Sequence, residues 1–292
     1  MNHFSRERAS IMLGSDEPLQ VRTYAGPATV GPAHYHDFHE LAFVMSGRGR
    51  YDDGSGNACD LVPGHVFMLL PGMVHRYFEQ RELTVTNVLW FPDDMALPLY
   101  DLPQCPGYHA LFELEPRGRA HLEPSHRLTL DRKQLEAVAA PLGRMEDEMR
   151  GKPPGFRLMM AGLFNQLLAA LCRFYAEQSH PEAREMLRLD RAIQFMHEHY
   201  ADPLRCKDMA RMASMSEATF FRHFKRLLRV SPNDYLLEIR LRRAREQLLA
   251  SEKGLTQIAL ECGFSDGNHL NMRFKRHFGV PPHRWRLRFR DG

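Results

Sequence analysis

Arg222 and Asn268 are the side chains of this chain best equipped to read a base edge. A guanidinium bonds guanine through two N–H groups, and a carboxamide pairs with the edge of adenine. Lys225, Arg226, Arg273, Lys275 and Arg276 lie later in the same two stretches and suit phosphate contacts, being long and cationic. A second set of chemically capable residues lies far upstream, where His34-x-His36-x-x-x-Glu40 and then His75 offer three imidazoles and a carboxylate. Alternate strand residues face one way, so these four can converge inside a barrel and hold Zn, Fe or Mn. They can equally line a polar pocket or cap turns.

The first set is positioned by a duplication. Met209-Ala210-Arg211-Met212-Ala213-Ser214-Met215-Ser216 precedes a Phe220/Phe224 helix, and Ile258-Ala259-Leu260-Glu261-Cys262-Gly263-Phe264-Ser265 precedes a Leu270/Phe274/Phe278 helix. Both helices pass through Phe-Lys-Arg, at 224 to 226 and 274 to 276, into a Val-x-Pro stop, with Tyr235 and Trp285 three residues beyond the proline. The pattern predicts two helix-turn-helix units, 207–229 and 256–278, directed at double-stranded DNA. Ser216 is placed to cap the first reading helix, with Phe220, Phe224 and Leu227 inward; Ser265 is expected to cap the second, with Leu270, Phe274 and Phe278 inward. A helix from Pro232 to Ala250 would set their separation. Charge agrees with this division: from Leu187 onward 21 Lys and Arg face 12 Asp and Glu, a net +9, while the remainder is −6. A basic part behind an acidic one fits a nucleic-acid-binding module joined to something that does not bind nucleic acid.

The upstream set must sit on strands. From Leu19 to Pro92 the expected strands are Glu40–Met45, Arg50–Asp52, Val66–Leu70 and Leu83–Trp90, separated by Gly- and Pro-containing turns, as in a small barrel or jelly roll. Pro92 to Thr129 carries no clear pattern. Asp131 is a plausible cap for a helix to Arg150 that Pro141 would kink or break, and apolar spacing predicts another helix from about Gly155 to Gln178. Ser179 to Ala183 reads as a linker, with further helices at Asp190–Tyr200, Lys207–Ser214, Glu217–Arg229, Thr256–Cys262 and Asp266–Phe278. The expected fold is therefore α+β: a sensing domain at 1–130, a helical dimerisation region at 131–180, and an all-α domain of two helix-turn-helix motifs at 187–290.

At 292 residues and 43% hydrophobic, the chain is expected to fold as two domains. Met1 to Leu13 lacks a signal-peptide core and no later segment reads as a membrane span, so the expected location is the cytoplasm. The five cysteines, 59, 105, 172, 206 and 262, show no C-x-x-C pair and read as small apolar residues. No nucleophile triad, P-loop or dinucleotide fingerprint is present, so the chain is not expected to be an enzyme.

Residues 190 to 288 resemble the AraC/XylS-type DNA-binding domain, through Ile-Ala-x-x-x-Gly-Phe-Ser…Phe-Lys-Arg-x-Phe-Gly-x-x-Pro from Ile258 to Pro282. The resemblance implies base contacts at Ala218, Phe221 and Arg222, and at Gly267, Asn268 and Met272. Four of these six are apolar or lack a side chain, which leaves thymine methyls and DNA shape to supply readout. His34-x-His36-x-x-x-Glu40 with Pro71-Gly72-x-x-His75 resembles the two cupin motifs, which implies a cupin-like sensor. Glu79 stands where metal-binding cupins carry Asn, so no metal or other cofactor is expected; a metal-dependent cupin enzyme with a basic localisation domain is the alternative. His36 to Leu41 and Leu89 to Pro92 look most like the rhamnose-responsive branch of the family. That implies a small effector, such as a sugar, bound by His34, His36, Glu40, His75 and Trp90. Helices between about 131 and 178 are expected to form a homodimer, RNA polymerase is a candidate partner, and the sequence leaves activator, the reading adopted, and repressor both open.

Overall fold

The computed structural model describes residues 5–7, 17–25, 33–54, 58–91, 99–118 and 128–290. Most of the Met1–Leu13 stretch, the Ser55-Gly56 end of one turn, and Pro92 lie outside them. The chain divides into two compact units, Met1–Leu187 and Arg188–Gly292.

The first unit is built on an antiparallel sheet. Its strands are β1 (Ser5–Glu7), β2 (Leu19–Ala25), β3 (His34–His36), β4 (His39–Asp52), β5 (Cys59–Leu61), β6 (His65–Leu69), β7 (Arg76–Trp90) and β8 (Leu128–Thr129). The path runs β2-β7-β4-β6-β8, β5 pairs with β4, and β1 pairs with β3 in a separate parallel ribbon. The expected pair Glu40–Met45 and Arg50–Asp52 is a single strand. Its register against β7 shifts between Val44 and Ser46, Ser46 and Arg48, and Arg48 and Arg50, so Gly47-Arg48-Gly49 is absorbed as bulges and makes no turn. One sheet face buries Ala42, Val44, Tyr51, Cys59, Leu61, Phe67, Leu69, Leu83 and Val85 as a packed cluster.

Residues 99–118, which carried no clear sequence pattern, hold short helical turns at Leu102–Gln104 and Ala110–Leu114 that lead into α1 (Glu115–Gly118). Two long helices follow, α2 (Arg132–Gly151) and α3 (Phe156–Ala176). Asp131 caps α2 in a capping box with Gln134. Pro141 does not end α2: it lies buried inside a helix that continues to Gly151. α3 is long and apolar enough to cross a membrane, unlike the expectation that no segment is. Its stripe of Met160, Leu163, Phe164, Leu167, Leu168, Leu171, Cys172 and Tyr175 is nonetheless buried within this unit, as the stripe of a core helix is. The expected linker does not appear as one, because Pro181 opens α4 (Pro181–Glu198), proline being well suited to a first helical turn.

The second unit contains α5 (Cys206–Met212), α6 (Glu217–Leu228), α7 (Pro232–Ala250), α8 (Leu255–Glu261), α9 (Gly267–Phe278) and α10 (Pro282–Arg290). The duplication seen in the sequence is a duplication of packing. Phe224 meets Tyr235 edge-on at 5.5 Å and 78°, and Phe274 meets Trp285 at 5.9 Å and 78°. α10 was not expected, since Pro281-Pro282 reads as a stop, yet proline at N1 starts a helix.

Candidate nucleic-acid interface and ligand site

In the second unit each reading helix is held by a cap on one side and a buried aromatic face on the other. The Ser216 hydroxyl accepts from the Thr219 N–H at 3.2 Å, while Phe220, Phe224, Leu227 and Leu228 are buried. α9 is capped by Asp266, not by Ser265: the Asp266 carboxylate accepts from the His269 N–H at 2.8 Å, and the Ser265 hydroxyl donates to Asp266 at 3.0 Å. The carboxylate reaches the orphan N–H groups better from one residue closer, and those bonds, the His269 N–H first, hold its pKa below the ordinary aspartate value.

Ala218, Phe221, Arg222, Lys225 and Arg226 are all exposed on α6. Lys225 lies over the Phe221 ring at 5.9 Å, so aromatic and cation form one surface. On α9, Asn268, Met272, Lys275 and Arg276 are exposed. Gly267 is half-buried against Thr256 and offers backbone alone. Arg273 is half-buried too, its Nε reaching His269 Nε2 at 3.4 Å. Arg273 and Arg276 also line a cleft of roughly 400 Å³ with Asp234 and Glu238 of α7.

Two arginines not singled out from the sequence fix the frame. Arg240 of α7 donates from Nε to the Tyr200 carbonyl at 2.7 Å and from Nη2 to that of Asp202 at 2.8 Å, behind the C-terminus of α4. Arg286 of α10 does the same for α7 through Leu248 and Lys253, at 3.0 and 2.8 Å. Lost solvation lowers the Arg240 pKa. The sequence signal was weak, since a capping arginine and a DNA-facing one are the same letter in a basic stretch. Cys262 is buried in the same core, where burial pushes its thiol up to about 11, so it behaves as an apolar residue. All five cysteines are free thiols.

In the first unit the sheet brings together His36, Glu40 and His75, all essentially buried, with one ligand atom from each within 4.8 Å of the others. Backbone bonds hold the segments that carry them: His34 and His75 exchange N–H and carbonyl at 3.0 and 2.9 Å, and the Gly72 N–H donates to the His36 carbonyl at 2.8 Å. His36 Nδ1 faces the Phe38 carbonyl at 2.9 Å, and its ring stacks on Phe38 at 4.0 Å. His36 Nε2 stands 3.0 Å from Glu40 Oε2, a close contact without the alignment of a hydrogen bond. Burial works to raise the Glu40 carboxyl, but His36, His75 and His34 together hold it below the ordinary carboxylate value. Burial takes the His75 imidazole down to about 4, against the pull of Glu40, so it is neutral near pH 7.

The other expected residues fall outside this cluster. His34 is half-buried and packs its ring on His75 at 4.3 Å. Trp90 pairs with His39 across the sheet while Glu40 pairs with Leu89, which puts Trp90 on the opposite face. There it stacks on His39 at 5.3 Å and on Phe164 of α3 at 5.0 Å, so it is a packing residue and not a platform beside Glu40. Glu79 sits at φ 48° in a bulge of β7 and pairs with Arg50 at the surface. It therefore says nothing about metal binding.

Comparison with known proteins gives a consistent picture. Residues 17–88 match the AraC-like ligand binding domain and residues 209–288 a helix-turn-helix domain. The HTH-type transcriptional activator RhaS of Escherichia fergusonii is 31% identical over 258 residues, 88% of this chain and 87% of that protein. RhaS of Salmonella schwarzengrund is 30% identical over 259 residues, with the same coverage. Among solved structures, an AraC-type transcriptional regulator from Chromobacterium violaceum is 36% identical, covering 36% of this chain and 95% of its own, at a TM-score of 0.34. The DNA-binding domain of AdpA in complex with a target DNA is 28% identical, covering 36% and 94%, also at 0.34.

Proposed function

This chain belongs to the AraC family of helix-turn-helix transcription regulators, a DNA-binding regulator and not an enzyme, and from that premise we propose how its parts divide the work. The second unit reads DNA asymmetrically. Arg222 on α6 and Asn268 on α9 supply the hydrogen-bonding readout, and Ala218, Phe221 and Met272 meet thymine methyls. Lys225, Arg226, Lys275 and Arg276 bind phosphates, and Arg273 joins them once it leaves the Asp234/Glu238 cleft. The observation that carries this reading is the exposure of Phe221, Arg222, Asn268 and Met272 on helices whose other faces are buried. α7, with 19 residues and a length of about 28 Å at 1.5 Å per residue, separates two readers on a scale close to the ~34 Å turn of DNA.

The sheet unit binds a small effector, a sugar by analogy with the rhamnose-type regulators it is similar to, and the chain acts as an activator. The exposed Leu158 and Met159 of α3 support a homodimer formed through residues 131–180, and RNA polymerase is the partner when the regulator is bound upstream of a promoter. The protein works in the cytoplasm. Effector binding would shift the balance between arrangements of the two DNA units of a dimer.

Replacing Arg222 by alanine tests the division of labour. Binding to the operator should weaken by about 1–3 kcal/mol while binding to random duplex changes little. Equal losses on both duplexes would remove Arg222 from base reading.

A further inference from the structure

The two helix-turn-helix copies run in step, each residue of the first having its counterpart 50 positions later, as Phe224 has Phe274, Pro232 has Pro282 and Tyr235 has Trp285. On that register α7 and α10 are one helix in two settings. Each lays one face on its own reading helix, Tyr235 against Phe224 and Trp285 against Phe274. The opposite face of α7 is covered as well. Leu237 and Leu241 pack into the core cluster that holds Leu270 and Phe274 of α9, and Asp234 and Glu238 beside them share a cleft with Arg273, Arg276 and His277 of that helix. α7 thus receives a neighbouring helix on leucines flanked by carboxylates, and the neighbour brings cations three and four residues apart, on one face.

The matching face of α10 is Arg284, Leu287 and Arg288, the counterparts of Asp234, Leu237 and Glu238. Its charges are reversed, and Pro282–Arg290 holds no acidic residue to offset them. Leu237 and Glu238 are half-buried, whereas Leu287 is 66% exposed, with Arg284 and Arg288 exposed beside it. At about 3.6 residues per turn these three lie on the side of α10 away from Trp285, and so away from α9. Asn268 and Met272 are exposed on α9 while Phe274 is buried towards α10, so duplex read by α9 lies beyond that helix and not on this face. A leucine between two arginines also adds nothing to phosphate binding, but it is what a helix packs on.

We propose that the Arg284/Leu287/Arg288 face of α10 docks an acidic amphipathic helix of a partner protein, in the way that α7 receives α9. A charge-reversed α9 defines the chemistry recognised: carboxylates three or four residues apart where α9 has Arg273, Arg276 and His277, and apolar side chains where it has Leu270 and Phe274. Leu287 supplies the apolar contact. The guanidinium forks of Arg284 and Arg288 take carboxylates bidentately, set the register and reject a basic helix. A face this small makes a transient contact. The choice of protein over DNA rests on the reading of Asn268 and Met272 as DNA-facing; the match between α7 and α10 does not.

The probe is a stapled helical peptide of the α9 sequence, Gly267–Phe278, carrying Arg273→Glu, Arg276→Glu and His277→Glu, titrated into the full chain and followed by fluorescence anisotropy. It should bind at least about tenfold more tightly than the unchanged α9 peptide. Leu287→Asp, and separately the Arg284→Ala/Arg288→Ala pair, should abolish that preference while the urea transition reported by Trp285 stays in place. A benzophenone side chain at position 287 of the otherwise unchanged chain should crosslink to the acidic peptide. No preference for the acidic peptide in the wild type, or a preference that survives both variants, overturns the proposal. Operator binding by the alanine pair should keep its wild-type affinity and salt dependence; a slope of log K against log salt reduced by about 1.8 gives the face to DNA instead. A changed oligomeric state of Leu287→Asp in light scattering gives it to a second copy of the chain, and either result also overturns the proposal. Base reading is tested on Arg222→Ala alone, so each claim can fail without the other.

Discussion

Gly263 occupies the turn between α8 and α9 at φ +77°, and a Cβ built there would stand 2.8 Å from the Ala201 carbonyl oxygen, 2.9 Å from Arg240 Nε and 2.9 Å from the Tyr200 carbonyl oxygen. Gly263→Ala therefore combines two costs. The left-handed backbone costs an alanine about 1 kcal/mol. The contacts require Arg240 to move off the Tyr200 and Asp202 carbonyls, disturbing two charge-assisted hydrogen bonds and adding about 2–3 kcal/mol. The expected destabilisation of the second unit is thus about 3–4 kcal/mol. Gly279 supplies the control, since it has φ +78° with open space around its Cβ position, and Gly279→Ala should cost only the backbone share, about 1 kcal/mol. Urea unfolding of the full chain in a Trp90→Phe background measures both, because Trp285 then reports alone from the second unit's core. If Gly263→Ala costs no more than Gly279→Ala, close approach at this turn is not what requires glycine.

Other expected outcomes follow from the same packing and charges. Lys225→Ala should weaken operator and random-duplex binding alike and reduce the slope of log K against log salt by about 0.9, as measured by fluorescence anisotropy over a salt series. Leu167→Ala, at a fully buried position of α3, should destabilise the first unit by about 2–5 kcal/mol in chemical denaturation while leaving the Trp285 transition in place. The Asp266 cap acts through a pKa lower in the folded state than in the unfolded chain. Its contribution is complete above the ordinary aspartate value and is lost as pH falls through the folded one, so Asp266→Asn should flatten the acid limb of the stability profile followed through Trp285.

The second unit was legible because helical periodicity and a repeated motif report the same thing at two levels. Phe220 and Phe224, or Leu270 and Phe274, fall on one face of any helix of that sequence, and each copy checks the other. The first unit was less legible because its site depends on register. Reading Trp90 as a neighbour of Glu40 required knowing which residues of β4 and β7 lie opposite each other; a one-residue difference reverses the face, and pairing is set by long-range contacts. The bulges that carry β4 through Gly47 to Gly49 look like a turn for the same reason. His36, Glu40 and His75 were found as a group because a motif spaced them, but only the folded geometry, which brings one ligand atom from each within 4.8 Å of the others, separates them from His34. Arg240 and Arg286 carried only a weak signal, since their role appears only once the helix ends they cap are in place.

The anchoring of Arg240 reaches beyond stability. It holds the residues after α4 beside the turn before α9, tying that turn to the start of the unit that carries α6. A base pair inserted between the two segments they read would rotate one segment by about a tenth of a turn relative to the other. If α6 and α9 read DNA as proposed, an operator for this regulator should tolerate a changed letter far better than a changed length, which binding to operators with one base pair inserted between the two segments would check.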